Sequence, residues 1–247
     1  MKAPGLASWR DTGFVILVGL LIWQAVSMAV GAHTLPPPLA TGKHIFVLVM
    51  RPSFDRDLAS TAAAYALALA IGMTGGLALG VLFGGWRFIG QTFEPFMHLL
   101  VATPKVTLYP VILLLFGLGD AAKIAFGVLH GLPPVAIITT AAIRNLNPVY
   151  RKSARTLRLK PGDFAWRLLI PAVMPEILGA FRICFAQALL GVLVGEMFAS
   201  TNGIGHLLMA SIGVDDNPTI LAIVVLVFLF AGCSSVALLA IAARRKS

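Results

Sequence analysis

The chain has 247 residues, of which 58% are hydrophobic and only 12% are charged, whereas soluble domains carry about 25% charged residues. The formal net charge is +9, but the basic residues lie between long apolar runs and not along an aromatic-rich soluble surface, which argues against a nucleic-acid partner. The apolar runs are long enough to cross a hydrocarbon layer of about 30 Å as helices. Composition therefore predicts an all-α, polytopic transmembrane helical bundle.

The N-terminal part of the chain predicts one spanning helix followed by a break. Residues 13–32 hold no charge and are too long for the apolar region of a cleaved signal peptide. Pro36, Pro37 and Pro38 then prevent a continuous helix, because proline lacks the amide donor and fixes φ. We expect residues 33–57 to form an external loop or a short helix, and we divide the chain into residues 1–57 and a core domain of residues 58–247.

Three further apolar segments follow in the core. Residues 58–84 are rich in Ala and Gly, and small residues let helices approach closely in lipid. Residues 96–119 contain Pro104, and residues 121–143 contain Pro133-Pro134, so both are expected to be kinked or broken. Broken helices at membrane depth face protein or a water-filled cavity, which makes both segments candidates for lining a pathway.

The remaining spans are predicted at residues 177–199 and 219–243, which gives about six spans and places both termini on one side of the membrane. Most Lys and Arg residues outside the spans fall on that side. Because basic residues are retained in cytoplasmic loops, the sequence predicts a multi-pass membrane protein with cytoplasmic N- and C-termini.

The loop over residues 144–176 is long and basic, and we expect it to lie in the cytoplasm. Arg151, Arg155 and Arg158 follow one another at helical spacing, and Pro161 then breaks the helix. Asp163 is expected to cap a second short helix that Pro171 stops. Taken alone, the charge of this loop is equally compatible with contact to anionic membrane lipid.

The segment from Arg151 to Pro171 resembles the EAA loop of permease subunits of binding-protein-dependent ATP-binding-cassette importers. The E-A-A triplet corresponds to Lys152-Ser153-Ala154, the Gly to Arg158, and the terminal I-x-L-P to Leu168, Ile170 and Pro171. The segment departs from the pattern at the Glu and at the Gly. The second departure bears on the turn, because Arg is strained at the positive φ that Gly permits.

Other stretches extend the resemblance and place it closest to the nitrate, taurine and sulfonate branch of these permeases. They are residues 104–123, Arg144-Asn145-Leu146-Asn147-Pro148, and Gly195-Glu196-Met197 followed by Gly203-Ile204-Gly205. The resemblance implies the type I importer permease fold. It also implies a second permease copy in a homodimer, two cytoplasmic ATPase subunits and an external substrate-binding protein.

The same resemblance implies that the loop couples the bundle to the ATPase. The coupling residues would be Arg151, Lys152, Ser153, Ala154, Arg155, Leu157, Arg158, Leu159, Lys160, Pro161, Gly162, Asp163, Leu168, Ile170 and Pro171. No G-x-x-x-x-G-K-[ST] phosphate-binding motif occurs in the chain. We therefore expect a transport subunit without enzymatic activity, cofactor or metal of its own, with ATP and Mg bound by the partner ATPase.

Charged residues inside the predicted spans are costly and are therefore candidates for the pathway. They are Lys105, Arg182 and Glu196. The alternatives are an interfacial lysine, an arginine that reaches the inner headgroups, and a glutamate hydrated at the outer end of its span. Lys123 lies three residues after Asp120, and a local helical ion pair explains both residues.

The sequence leaves the cargo open. The resemblance favours a small anionic solute such as nitrate, taurine or a sulfonate, and a pyrimidine precursor or an aromatic acid is the alternative within the same architecture. A different class, the ion-coupled secondary carrier, would need several intramembrane acids and usually an inverted repeat.

Overall fold

A computed structural model describes residues 6–244, and the described part of the chain is helical and contains no strand. The α-helices are α1 (Leu6–Val30), α2 (Pro38–Val49), α3 (Pro52–Gly85), α4 (Arg87–Ala102), α5 (Tyr109–Phe116), α6 (Asp120–Arg144), α7 (Pro148–Thr156), α8 (Pro161–Phe164), α9 (Ile170–Ala199), α10 (Ile204–Gly213) and α11 (Asn217–Arg244). A 3₁₀ turn, Lys105–Leu108, precedes α5, and a π-helical turn, Ala165–Leu169, joins α8 to α9.

The number of spans agrees with the sequence. Within the described residues, five helices are long and apolar enough to cross a membrane, and they become six when α4 and the segment Lys105–Phe116 are taken as one broken span. That pair is bent by 103°. The break predicted in the third apolar region is therefore confirmed, and it lies at Thr103-Pro104, where the fixed φ of proline and its missing amide donor end α4.

Two compact units can be described separately. One takes the residues through Asp55 together with Leu207–Phe230, and the other takes Arg56–His206 and the residues from Ala231 onward. The division at residue 57 that we expect from the sequence stays a prediction.

In the first unit, the chain turns back after α1 onto the helix it has just left. Trp23 Nε1 donates to the carbonyl of Pro36 at 3.1 Å, and Ser27 Oγ donates to that of Leu35 at 2.7 Å. Of the two expectations for residues 33–57, the short helix is the one observed, because Pro38 begins α2 at a position where its missing amide costs nothing.

The same unit contains a side-chain cap that the sequence analysis missed. Asp216 accepts from the Thr219 amide at 3.3 Å and from the Thr219 hydroxyl at 2.6 Å. His44 lies 2.9 Å from the same hydroxyl. Asp216 therefore fixes the start of α11 in the manner of an N-cap residue.

In the second unit, glycines bring α3 against α6. A Cβ placed on Gly76 would lie 2.6 Å from the Cβ of Val135. The corresponding distances are 2.4 Å from Gly80 to Thr139 and 2.8 Å from Gly84 to Ile143. These glycines recur every four residues and therefore share one face of α3. The prediction that this small-residue helix packs closely is confirmed, since no larger side chain fits there.

Of the two expectations at Pro133-Pro134, the break is wrong, because α6 runs as one helix from Asp120 to Arg144, and the kink stays a prediction. Its backbone next to the prolines is enclosed from two sides. A Cβ on Gly76 of α3 would lie 2.8 Å from the carbonyl oxygen of Leu132, and one on Gly131 would lie 2.9 Å from Cys184 Sγ of α9. With no water to take up freed backbone groups in this setting, contact with both neighbouring helices favours the continuous helix.

We expect the substitution Gly80→Ala to lower the free energy of unfolding by about 1–3 kcal/mol, because the added methyl overlaps Thr139. Gly85→Ala is the matched control on the same helix, because nothing lies within 4 Å of its Cβ position. The measurement is the unfolding of the purified protein in detergent. Equal stabilities of the two variants would contradict the close contact.

Candidate functional site

The segment from Pro148 to Pro171, which we call the coupling segment, begins with a capped helix. The Asn147 side chain accepts a hydrogen bond from the Val149 amide at 2.9 Å, and Pro148 occupies the first turn of α7. Asn at the cap and Pro in the first turn are the residues that this geometry favours. The sequence Asn147-Pro148 therefore sets where α7 starts.

The end of α7 is a left-handed turn centred on Arg158. The Leu159 amide donates to the carbonyl of Ala154 at 3.0 Å, and the Arg158 amide donates to that of Arg155 at 3.1 Å. These two bonds define the Schellman motif, whose left-handed position is usually Gly. Arg158 holds that position with a φ of 49°. A left-handed turn of the kind usually formed with Gly is thus present here with Arg.

The second half of the coupling segment differs from the expectation of a separate short helix. The helix that begins at Pro161 continues into the span and ends only at Ala199. Pro171 does not stop it, because the wider π-helical turn directly before the proline relieves the crowding that a proline ring causes. Asp163 is not a cap but lies in the first turn, where it pairs with Arg167 at 3.2 Å.

The surface of the coupling segment combines cations with exposed apolar side chains. Leu157 and Trp166 are 66% and 74% exposed. The exposed basic residues are Lys152, Arg155, Arg158, Lys160 and Arg167, while Ser153, Ala154, Leu159, Asp163, Leu168 and Ile170 are half-buried and Gly162 and Pro171 are exposed. The side chains of Arg151 and Pro161 lie outside the described part. Trp166 is the residue of this surface that the sequence analysis missed.

A second polar site lies at the N-terminal end of α6, where a lysine and a glutamate are enclosed. Lys123 is 1% and Glu196 is 0% exposed at the side chain, with 3.4 Å between Nζ and Oε1. Lys123 also lies 2.9 Å from Asp120 and donates to Ser60 at 2.6 Å and Asn202 at 3.2 Å. The expected pair with Asp120 is confirmed, and the buried partner Glu196 is new.

The carboxylate of Glu196 is held by donors from two directions. The Thr61 hydroxyl lies 2.8 and 2.9 Å from the two carboxylate oxygens, and the amide of Gly205 donates at 3.0 Å. The neighbouring amides of Gly203 and Ile204 donate to Asp57 and Thr61, both at 2.8 Å. The alternative that Glu196 is hydrated at the outer end of its span is therefore wrong, because its side chain is fully buried.

The glycines of the stretch Gly203-Ile204-Gly205 explain the spacing of that motif. A Cβ on Gly203 would lie 2.2 Å from the Glu196 carboxylate, and the φ of Gly203 is +109°. Only glycine lets this backbone turn close over the carboxylate. The stretches Gly195-Glu196-Met197 and Gly203-Ile204-Gly205 were the sequence signal for the site. Ser60, Thr61 and Asn202 carried no recognisable signal.

The other two pathway candidates lie apart from this cluster. Lys105 opens the 3₁₀ turn at the break between α4 and α5 and is half-buried. Arg182 is exposed and lines a cavity of about 520 Å³ together with Gln187 and Ser235. Within the described residues, neither cation has a carboxylate within ion-pair distance.

Comparison with known proteins places the site in a family context. Residues 72–247 match the family described as the binding-protein-dependent transport system inner membrane component. A nitrate import permease protein of Synechococcus elongatus is 26% identical over 83% of this chain and 77% of its own length. A taurine transport system permease protein of Escherichia coli is 23% identical, with 79% and 74% covered. A formylaminopyrimidine transport permease protein of Halalkalibacterium halodurans is 24% identical, with 83% and 82% covered.

We expect the substitution Arg158→Gly to stabilise the left-handed turn by about 1 kcal/mol, because glycine accepts this φ without strain. Hydrogen exchange at the amides of residues 158 and 159 should slow by about fivefold. Arg155→Gly, one turn earlier in the helix, is the control and should speed exchange there. Faster exchange in the Arg158 variant would contradict the turn.

We expect Glu196→Leu to lower the free energy of unfolding by about 3 kcal/mol or more, since it leaves the enclosed Lys123 with a single carboxylate and orphans two donors. Asp120→Asn removes the exposed partner of the same lysine and should cost less than about 1 kcal/mol. Denaturation of both purified variants checks the difference. A larger loss for the Asp120 variant would reverse our assignment of the dominant partner.

Proposed function

The chain belongs to the family of binding-protein-dependent transport system inner membrane components, with the type I permease fold of ATP-binding-cassette importers, and we propose that a separate ATPase drives it through the coupling segment. The observation that carries the proposal is the hydrogen-bonded basic turn at Arg158 next to the exposed Leu157 and Trp166. Capping and a Schellman motif define its backbone without help from a partner.

The surface chemistry favours a protein over a lipid layer as the partner of the coupling segment. Exposed apolar side chains surrounded by polar groups are typical of protein interfaces, where aromatic residues contribute most of the binding energy. Trp166 and Leu157 have this arrangement. Contact with anionic lipid needs charge but no fixed turn, so the defined geometry at Arg158 supports docking into a groove of the ATPase.

The remaining assembly follows from this role. We propose two copies of the permease, two cytoplasmic ATPase subunits that bind ATP and Mg, and an external protein that delivers the cargo, with lipid around the bundle. The charge pattern supports cytoplasmic termini, and the family match supports a bacterial inner-membrane location. The family match favours this importer over an ion-coupled carrier.

For the pathway we propose Lys105 and Arg182 as the cationic residues that attract cargo. Both lie in or beside spans without a carboxylate partner among the described residues, and Lys105 lies at the break that bends a span by 103°. Glu196 would act as a gate only in a state in which the enclosure by Thr61 and Gly205 opens.

The cargo we propose is a small anion, which unpaired cations in a low-dielectric environment would attract. The names of the nitrate and taurine relatives support it, and the formylaminopyrimidine relative supports the alternative of a pyrimidine precursor. Binding of nitrate, taurine and a pyrimidine to the purified delivery protein distinguishes these cargoes.

We expect the double substitution Leu157→Ala and Trp166→Ala to reduce co-purification of the ATPase by at least about tenfold, because each exposed side chain contributes about 1.5–3 kcal/mol when buried in an interface. Deleting residues 151–170 is a poorer test than substitution, because residues 161–170 are continuous with the spanning helix and their loss would also disturb the span.

The matched control is Leu114→Ala with Trp86→Ala, which removes side chains that are 86% and 63% exposed outside the coupling segment. This control variant should retain the ATPase. If the coupling-segment variant also retains it, with full ATP-dependent uptake, the docking proposal is wrong. Selective loss of binding to vesicles of anionic lipid would support the lipid alternative.

A further inference from the structure

An ion pair joins the end of α6 to the middle of α4, a short distance before the coupling segment. Arg144, the last residue of α6, donates through Nη1 to Glu94 Oε2. Its Nη2 donates to the carbonyl of Phe83 at 3.1 Å. His98 lies 4.0 Å from the other oxygen of Glu94. We call the contact between the two charged side chains the Arg144–Glu94 clamp.

The backbone around the clamp is shaped to receive the guanidinium group. A Cβ placed on Gly90 of α4 would lie 1.9 Å from Arg144 Nη2 and 2.2 Å from the Phe83 carbonyl oxygen. The arginine therefore occupies the space that a side chain at residue 90 would need. Both charged side chains are about three-quarters buried, and charge-assisted hydrogen bonds of an arginine to a carboxylate are among the strongest that proteins form.

The position of the clamp connects two parts of the molecule that the proposed function uses. On one side, only residues 145–147 separate Arg144 from α7 of the coupling segment. On the other side, Glu94 lies on α4, which ends at Ala102 directly before the 103° bend and Lys105. A displacement of the α6 terminus would therefore be transmitted to the helix that leads into the break.

A proline interrupts the hydrogen bonding of α4 next to the clamp. Pro95 lies inside α4 immediately after Glu94, so the carbonyl of Gln91 has no amide donor at the usual position. A helix interrupted at this point can flex unless its neighbours hold it. The clamp supplies that hold from α6, and so fixes which part of α4 moves with the coupling segment.

We propose that Arg144 and Glu94 are positioning residues that make the broken span follow the coupling segment during transport. This inference rests on the proposed function, since it presumes that the coupling segment receives movement from the ATPase. Neither residue needs to touch cargo or nucleotide. Their contribution is to convert a movement at α7 into a movement at Lys105.

The test uses the complete complex in proteoliposomes, with the delivery protein outside and ATP inside. Glu94→Gln, Arg144→Gln and the double variant are compared by the amount of cargo taken up per ATP hydrolysed. We expect the ATPase to co-purify and hydrolyse ATP in each variant, while uptake per ATP falls by about tenfold, within the usual range of coupling between sites. The double variant should lose no more than either single variant, because both remove one interaction.

Asp120→Asn is the matched control, since it breaks an ion pair with an exposed carboxylate at the opposite end of α6, outside the coupling segment, and should leave uptake per ATP unchanged. An unchanged ratio in Glu94→Gln and Arg144→Gln, or losses in the two that multiply in the double variant, would overturn the proposal. A purely structural role would lower the yield and thermal stability but leave this ratio unchanged.

If the glutamine variants do not fold, Arg144→Lys decides the question. It retains the cation but not the forked geometry that reaches both Glu94 and Phe83. An intermediate loss of uptake per ATP is expected, and an unchanged ratio overturns the clamp. Failure of the wild-type permease to bind its ATPase would instead contradict the proposed function, so the two failures are distinguishable.

Discussion

The close backbone contact of α6 with α3 on one side and α9 on the other is the constraint on which the rest of the second unit depends. Gly76, Gly80 and Gly84 have no side chain that would separate α3 from α6. Gly127 and Gly191 allow the same close contact between α6 and α9. Lipid offers no hydrophobic drive for helices to associate, so van der Waals contact and hydrogen bonds must do so. Helices this close also bring buried polar side chains within bonding distance.

Those polar contacts lie at the two ends of α6. Lys123, one turn from its start, meets Glu196, and Arg144 at its last residue meets Glu94. A helix of this length spans about 37 Å, so the apolar glycine contacts fill the middle and the ion pairs lie where the polar boundary of a membrane is expected. The enclosed pair at Lys123 therefore joins α6 to α9, whereas the three-quarters-buried pair at Arg144 joins α6 to α4, in which Pro95 removes a backbone hydrogen bond.

The sequence predicts where the helices of this structure lie better than which residues they contact. Long uncharged runs report spans directly, because the thickness of the hydrocarbon layer dictates their length, and Pro104 correctly marks the bend. Pro133-Pro134 carries the same local signal and gives the opposite outcome, because contacts from Gly76 and Cys184 decide it. The sequence alone could not predict the partners of Glu196 either, because Thr61 and Lys123 are brought to it only by the packing of helices that are distant in the chain.

Arg158 shows how a motif can lose its most informative residue and keep its geometry. The turn is held by backbone bonds from residues 158 and 159 to the carbonyls of Arg155 and Ala154, and those bonds require a left-handed φ but not the absence of a side chain. Arginine at this position costs about 1–2 kcal/mol of strain. Its side chain is exposed, so it adds a cation to the surface of the coupling segment at this turn. Residue identity at this position therefore determines the charge presented to a partner, while the backbone frame determines the shape.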